Sequence, residues 1–389
     1  MEPGRARSEL GVRSATPTSG GILNFICSRR SFRGYLGWGA AVGAVLVAAA
    51  ACDDTPTAAA RGLICDLNAD LLISSLAPNA IPALTESEMV DPDHPGADYL
   101  VDSDRVLGVY MNGEARAYPH NILWYHEIVN DRIGDEWVSV TFCPLTGSGL
   151  AFDPEIGSRR LDIGVSGLLF ANNLVLYDRL TEEVYGPQLG VAGACEGFRG
   201  QSLRLLPVQE MSWGRWKTLH PTTTVVTGQQ DFGRSYHIYP YGNYDRITSN
   251  ELLYPMSVDG SRQIKERVLA IRDGSGGRGY PYGELAALGD VAVVNESVGG
   301  IPTVVFFDVS IGQTALAFDA RVDGRTLSFD ADPAGFWTDR ETGSTWTIDG
   351  SATDGPLAGE RLQTRADAYT LFWFAWRHFQ PDGSMFSAP

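Results

Sequence analysis

The chain has 389 residues, 44% of them apolar and nine of them Trp, which is enough to bury a substantial core. Its 30 Lys and Arg stand against 47 Asp and Glu, a net charge of −17. So acidic a surface repels phosphate backbones, which excludes nucleic acid as a partner; the acidity itself reads as solvated surface.

The first 51 residues read as an export signal. Residues 28–33 (SRRSFR) set Arg29 and Arg30 behind a Ser and ahead of Phe32, and a weakly hydrophobic, Gly-rich run follows to residue 51. A basic pair, an apolar stretch and then small residues is the order of a secretory leader, and it resembles the twin-arginine type. Ala49-Ala50-Ala51-Cys52 resembles a lipobox, in which Cys52 would carry the lipid after cleavage. A spanning helix is the alternative, but crossing takes about 20 apolar residues and this run is shorter and broken by Gly. The leader holds six Arg against two Glu, so the remainder carries −21. Residues 52–60 (CDDTPTAAA) are small and polar, suited to a flexible tether. The expected location is the cell envelope, with the protein lipid-anchored on the extracytoplasmic side and the membrane a partner through the anchor.

After a lead-in over residues 61–97, the chain repeats itself at an offset of about 160 residues. Arg105-Val106-Leu107 returns as Arg267-Val268-Leu269, Tyr118-Pro119 as Tyr280-Pro281, and Asn130 as Asn295. Leu150 to Asp153 (LAFD) recurs as Leu316 to Asp319, Asp178-Arg179 as Asp339-Arg340, and the pair Trp213, Trp216 as Trp373, Trp376. Repeat unit one therefore spans 98–230 and unit two 262–389, with a Tyr- and Gly-rich connecting loop at 231–261. Within unit one the pattern predicts a strand and turn over 105–119, a helix over 120–129 (HNILWYHEIV) and an alternating strand over 137–143. Two hairpins follow, over 148–165 and 173–186, and then a closing helix over 212–220 whose Trp pair shares one face and packs in the core. The fold class is α+β, strand-dominated, with two pseudo-symmetric units forming one globular body.

Five Cys are present. Cys27 lies in the leader and Cys52 at the lipid site, which leaves Cys65, Cys143 and Cys195, an odd number. A bridge between Cys65 and Cys195 would free Cys143, although spacing does not fix the pairing. There is no CxxC pair, which argues against a dithiol site or a Cys-rich zinc site. The only two lysines, Lys217 and Lys265, are read as a codon bias toward Arg.

Polar positions present in only one unit are the candidates for chemistry. Cys143 aligns with Asp308, while His126 and Glu127 align with apolar or small residues near 285–288. Cys143 ends a strand before Pro144 and the turn Thr146-Gly147-Ser148, where backbone N–H groups would favour thiolate. His126 on the preceding helix is the candidate to orient or deprotonate it, and Asn130, one turn on, the candidate to share that face. Unit two reads as scaffold.

Residues 125–131 (YHEIVND), 140–153 (VTFCPLTGSGLAFD), 164–179 (GVSGLLFANNLVLYDR), and 355–362 (GPLAGERL) with 372–382 (FWFAWRHFQPD) resemble the DUF3179 family, a domain of unknown function. The resemblance covers most of residues 80–386. It implies a bacterial or archaeal protein, often exported or lipid-anchored, with no established reaction. Its motifs fall here on His126, Glu127, Asn130, Asp131, Cys143, Pro144 and Gly147, then on Ser166, Gly167, Asn173, Tyr177, Asp178 and Arg179. Thr146 stands where some relatives have a second Cys, which argues against a required dithiol.

Three readings of function follow. The leading one is a non-catalytic binding or assembly module of the envelope. In the second, a thiol enzyme of acyl or thiol transfer uses Cys143, His126 and Asn130, with Glu127, Asp131, Thr146, Gly147, Ser148, Asn173, Asp178 and Arg179 contacting the ligand. In the third, Cys143 and His126 bind copper or zinc.

Overall fold

In the computed structural model, the described residues are 68–182, 184–190, 202–273, 276–310 and 312–389. The leader, the tether with Cys52, and Cys65 and Cys195 all lie outside them. Among the described residues strands dominate, accompanied by four seven-residue α-helices: α1 (His120–His126), α2 (Trp213–Leu219), α3 (Tyr282–Leu288) and α4 (Trp373–Phe379). The fold is strand-rich α+β. No described helix is long and apolar enough to cross a membrane.

Strand pairing follows the same order in both halves. One sheet runs Arg204–Leu206, Ser148–Asp153, Glu136–Cys143, Ile128–Ile133 and Leu84–Thr85. In the second half, Gln363–Thr364, Thr314–Asp319, Ile301–Asp308 and Val291–Val298 pair in that order. Asn130 sits opposite Ser139 and Asn295 opposite Val304. A second sheet joins Gln209–Ser212 to Arg105–Met111 and Glu114–Pro119, and Ala368–Phe372, Arg267–Ile271 and Arg278–Pro281 pair likewise.

Local sequence explains these elements. Pro119 and Pro281 stand at the N-caps of α1 and α3, where a missing N–H costs nothing because no helical acceptor precedes it. The Ser212 hydroxyl accepts from the Arg215 N–H to cap α2. All four repeated Trp are buried, with Trp216 donating to the Thr223 hydroxyl at 2.8 Å. Gly108 is required beneath Trp216, since an added Cβ would lie 2.2 Å from the indole ring. The main apolar clusters draw on both halves. One joins Cys143, Leu145 and Leu150 to Val268, Leu371, Phe372 and Phe374, and another joins Val106 and Trp216 to Phe306 and Phe318.

One boundary differs from expectation. The helix predicted over 120–129 ends at His126, because Glu127 turns left-handed at φ 56° and Ile128 begins a strand. Asn130 is therefore on a strand and does not share the helical face of His126. Apolar Ile128 and Val129 continued the helical pattern, and no Gly or Pro marked the stop.

Candidate functional site

The strand Glu136–Cys143 delivers Cys143 to its end, and Pro144 prevents the strand from continuing. The turn that follows needs glycine at Gly147. Its φ is +61°, and an added Cβ would lie 2.7 Å from the Phe372 ring. The Phe372 N–H donates to the Thr146 carbonyl at 2.8 Å, so a second-half strand closes over this turn. Cys143, the one cysteine among the described residues, is free and wholly buried. Its thiol donates to the Asn172 carbonyl, with a sulfur to oxygen distance of 3.6 Å.

Two further ionisable groups are buried beside it. Glu127 is 5% exposed, and burial pushes its carboxyl up to about 8. Burial first, and then the Glu127 carboxylate, pushes the Cys143 thiol up to about 11. Hydrogen bonds from the Thr146 hydroxyl and backbone and from the Leu174 backbone oppose that rise. Lys265 is 1% exposed, and among the described residues its amine has no hydrogen-bond partner. Nζ lies 3.2 Å from the centre of the Tyr244 ring, with the Phe372 and Phe374 rings at 5.0 and 5.1 Å. Burial lowers Lys265 to about 7, opposed by the fields of Cys143, Asp245 and Glu251. Tyr244 donates its hydroxyl to the Leu145 carbonyl at 2.9 Å, and Tyr241 lies within the fields of Glu127 and Cys143. A thiol, a carboxyl and an amine are therefore all buried in the region of the strand end, where Tyr244 of the 231–261 segment packs over Lys265 and bonds the Leu145 carbonyl.

The chain matches a family described as a protein of unknown function, DUF3179, over residues 78–383. It belongs to the DUF3179 family. No curated protein and no solved structure matches it.

The DUF3179 motif residues divide into two sets. The motif residues Cys143, Glu127 and Gly147 form the site together with Thr146, and a polar network lies directly behind it. Asn173 donates to the Thr146 hydroxyl at 3.0 Å and to the Gln188 side-chain oxygen Oε1 at 3.1 Å; Ser148 donates to that same oxygen at 2.7 Å. Gln188 in turn donates to the Thr141 hydroxyl at 2.8 Å. With every member buried and bonded, this network fixes the turn that carries Thr146.

The second set lies elsewhere. His126 Nδ1 meets the Pro82 carbonyl at 2.7 Å, and Nε2 meets the Tyr236 hydroxyl at 2.7 Å. A carbonyl only accepts, so Nδ1 carries the hydrogen and Nε2 accepts from Tyr236. Both nitrogens are thus spent, and burial lowers the imidazole to about 4. The expected Cys143–His126 hydrogen bond is not made, because His126 anchors the lead-in and the 231–261 segment. Asn130 is likewise structural: it donates to the Ile163 carbonyl at 2.8 Å and accepts from Ser139 at 2.6 Å. Asp131 accepts from Arg116 and Tyr118, each at 2.7 Å. Asp178 accepts from Arg159, Thr181 and the Asp162 N–H, which lowers its carboxyl, and Arg179 staples Ala83 and Thr85 to Asp162.

A copper or zinc site would need Cys143 and His126 to converge on one ion, and the nitrogens of His126 face Pro82 and Tyr236 instead. Among the described residues no group of three or more His, Cys, Asp or Glu is placed to hold a metal. Sequence reasoning missed Lys265, Tyr241, Tyr244 and Gln188. Lysine is rare in this chain, but rarity does not single out Lys265, since the other lysine, Lys217, makes a partly exposed ion pair with Asp102.

Proposed function

We propose that the chain is an exported, lipid-anchored thiol enzyme of acyl or thiol transfer, with Cys143 as nucleophile. One observation carries this reading: Cys143, Glu127 and Lys265 are all buried in one region, burial pushes the thiol and the carboxyl up and the amine down, and among the described residues the Lys265 amine has no hydrogen-bond partner. Burying ionisable groups costs stability, and such displaced groups cluster at reactive sites. In the acyl step a bond forms between Cys143 Sγ and the acyl carbon while the bond to the leaving atom breaks. Near neutral pH the Glu127 carboxyl holds a proton it can give that leaving atom. The Thr146 and Leu174 donors stabilise the thiolate that attacks.

The test is incubation of the folded protein with a small thioester and with a small thiosulfonate, followed by peptide mass spectrometry. The expected result is a mass increment on Cys143 that is absent in Cys143→Ser. The supporting argument for location is the leader, and mass spectrometry of native-host protein should find diacylated Cys52 as the first residue. A second reading, the assembly module, is favoured by the complete burial of Cys143. It predicts no modification of Cys143 until the protein is unfolded.

A further inference from the structure

We infer that residues 231–261 are a gate over Cys143 and that Asn172 is its latch. The inference rests on the thiol-enzyme reading, because a wholly buried nucleophile needs a path for its substrate, and it names the element that opens that path.

Three elements bond the stretch from Cys143 to Thr146, and they differ in what holds them. The hairpin of Ile163–Phe170 and Asn173–Asp178, which takes the Cys143 thiol on Asn172, is paired strand to strand. The strand Ala368–Phe372, which bonds Thr146, is paired residue for residue with Arg267–Ile271. The segment 231–261, which bonds Leu145, contains no helix or strand, and among the described residues no backbone-to-backbone hydrogen bond joins it to the rest of the chain. Side chains pin it instead: the Tyr236 hydroxyl on His126 at 2.7 Å, the Tyr244 hydroxyl on the Leu145 carbonyl at 2.9 Å and the Tyr254 hydroxyl on Ser75 at 2.9 Å. Tyr244 shares an apolar cluster with Cys143, and Leu252, Leu253 and Met256 pack against that cluster. Of the three covers, only this one can lift without breaking a strand ladder, and loops beyond about 15 residues without structure of their own commonly act as lids.

Asn172 ties the thiol to this segment. It is the second residue of the two-residue turn between Phe170 and Asn173, where φ is 49° at Ala171 and 63° at Asn172, positive at both as in a type I′ turn. Its carbonyl accepts from the Cys143 thiol at 3.6 Å. Its side-chain amide donates to the Tyr254 carbonyl at 2.9 Å, and its side-chain oxygen accepts from the Tyr254 N–H at 2.9 Å. One residue thus holds the thiol by its backbone and the gate by its side chain. Lifting the segment parts the Tyr254 pair and leaves the hairpin ladder intact.

Amide hydrogen exchange and Cys143 alkylation by a small neutral reagent, both measured on the full chain without denaturant, test this in wild type, Asn172→Gly and Tyr244→Phe. Glycine adopts the left-handed turn conformation freely, so Asn172→Gly keeps the carbonyl that the thiol uses and removes the clamp on Tyr254. Tyr244→Phe keeps the ring and removes an independent pin. In both variants the amides of 231–261 should exchange faster while those of the strand Val291–Val298 keep the wild-type rate. Cys143 should alkylate at least about tenfold faster, because fewer bonds hold the segment closed. Alkylation at the wild-type rate in both variants overturns the gate, and so does faster alkylation matched by an equal gain in exchange across Val291–Val298, which reports global unfolding. The thioester and thiosulfonate increments judge the thiol reading separately. If they form on Cys143 and alkylation does not accelerate, the thiol reading stands without the gate; if alkylation accelerates and neither increment forms, the gate stands and the thiol reading falls.

Discussion

Glu127 combines two costs at one residue: a left-handed backbone that glycine adopts more cheaply, and a buried carboxyl with no ion-pair partner among the described residues. Its folded proton affinity lies above the ordinary carboxyl value, rising from 4.5 to about 8. The folded state therefore suffers no penalty below about pH 4.5, and loses stability as pH climbs from there to about 8. Glu127→Gln removes the titration while keeping the shape. Relative to wild type, the variant should gain stability progressively across that window, by about 2–5 kcal/mol at its upper end. Urea midpoints at several pH values measure this, and a difference that does not change with pH would mean that Glu127 has an ordinary proton affinity. His126 runs the other way. Its depressed value of about 4 means that its contribution is present above pH 6.5 and is lost as pH falls through 4.

At the scale of elements, the strand, turn and strand that carry Cys143 were readable, because alternation runs to Cys143 and Pro144 enforces the stop. The end of α1 was not readable, since its signal is a strained Glu. Nor was the role of the 231–261 segment. Its Tyr and Gly content marks a loop, but only the fold shows Tyr236 on His126, Tyr244 on Leu145 and Tyr254 on Asn172. Lys265 was hidden for the same reason, because its ring contacts reach Phe372 and Phe374, more than 100 positions along the chain, as well as Tyr244 of that segment. The turn after Cys143 is the element most exposed to a single change. Gly147→Ala needs a left-handed alanine and drives its methyl into the Phe372 ring, and should cost about 2–3 kcal/mol. Because that turn also carries Thr146, alkylation of Cys143 in this variant should be disturbed as well, whereas Gly157→Ala, with open space around it, should leave alkylation intact.

At the scale of the whole molecule, the two halves meet across a polar seam. Arg105 and Arg267, which correspond in the repeat, both bond the buried carboxylate of Glu210, and His120 lies 3.5 Å from it. Where the first half pairs His120 with Glu210, the second pairs Tyr282 with Thr370 at 3.0 Å. The two guanidinium groups hold the Glu210 carboxyl far below its ordinary range against the opposing effect of burial. Glu210→Gln would leave two cations without their counter-ion, an expected loss of about 3–5 kcal/mol by chemical denaturation. A loss under about 1 kcal/mol would show that the seam does not depend on this ion cluster.

The central claim, that the buried Cys143 cluster is a working site, requires access to it without global unfolding. Native-state alkylation of Cys143 at increasing urea concentrations, well below the unfolding midpoint, tests that requirement most directly. If the 231–261 segment opens by itself, labelling at low urea proceeds faster than the unfolding equilibrium allows and is nearly independent of urea. Labelling that follows global unfolding at every urea concentration would contradict the account and make Cys143 a core residue.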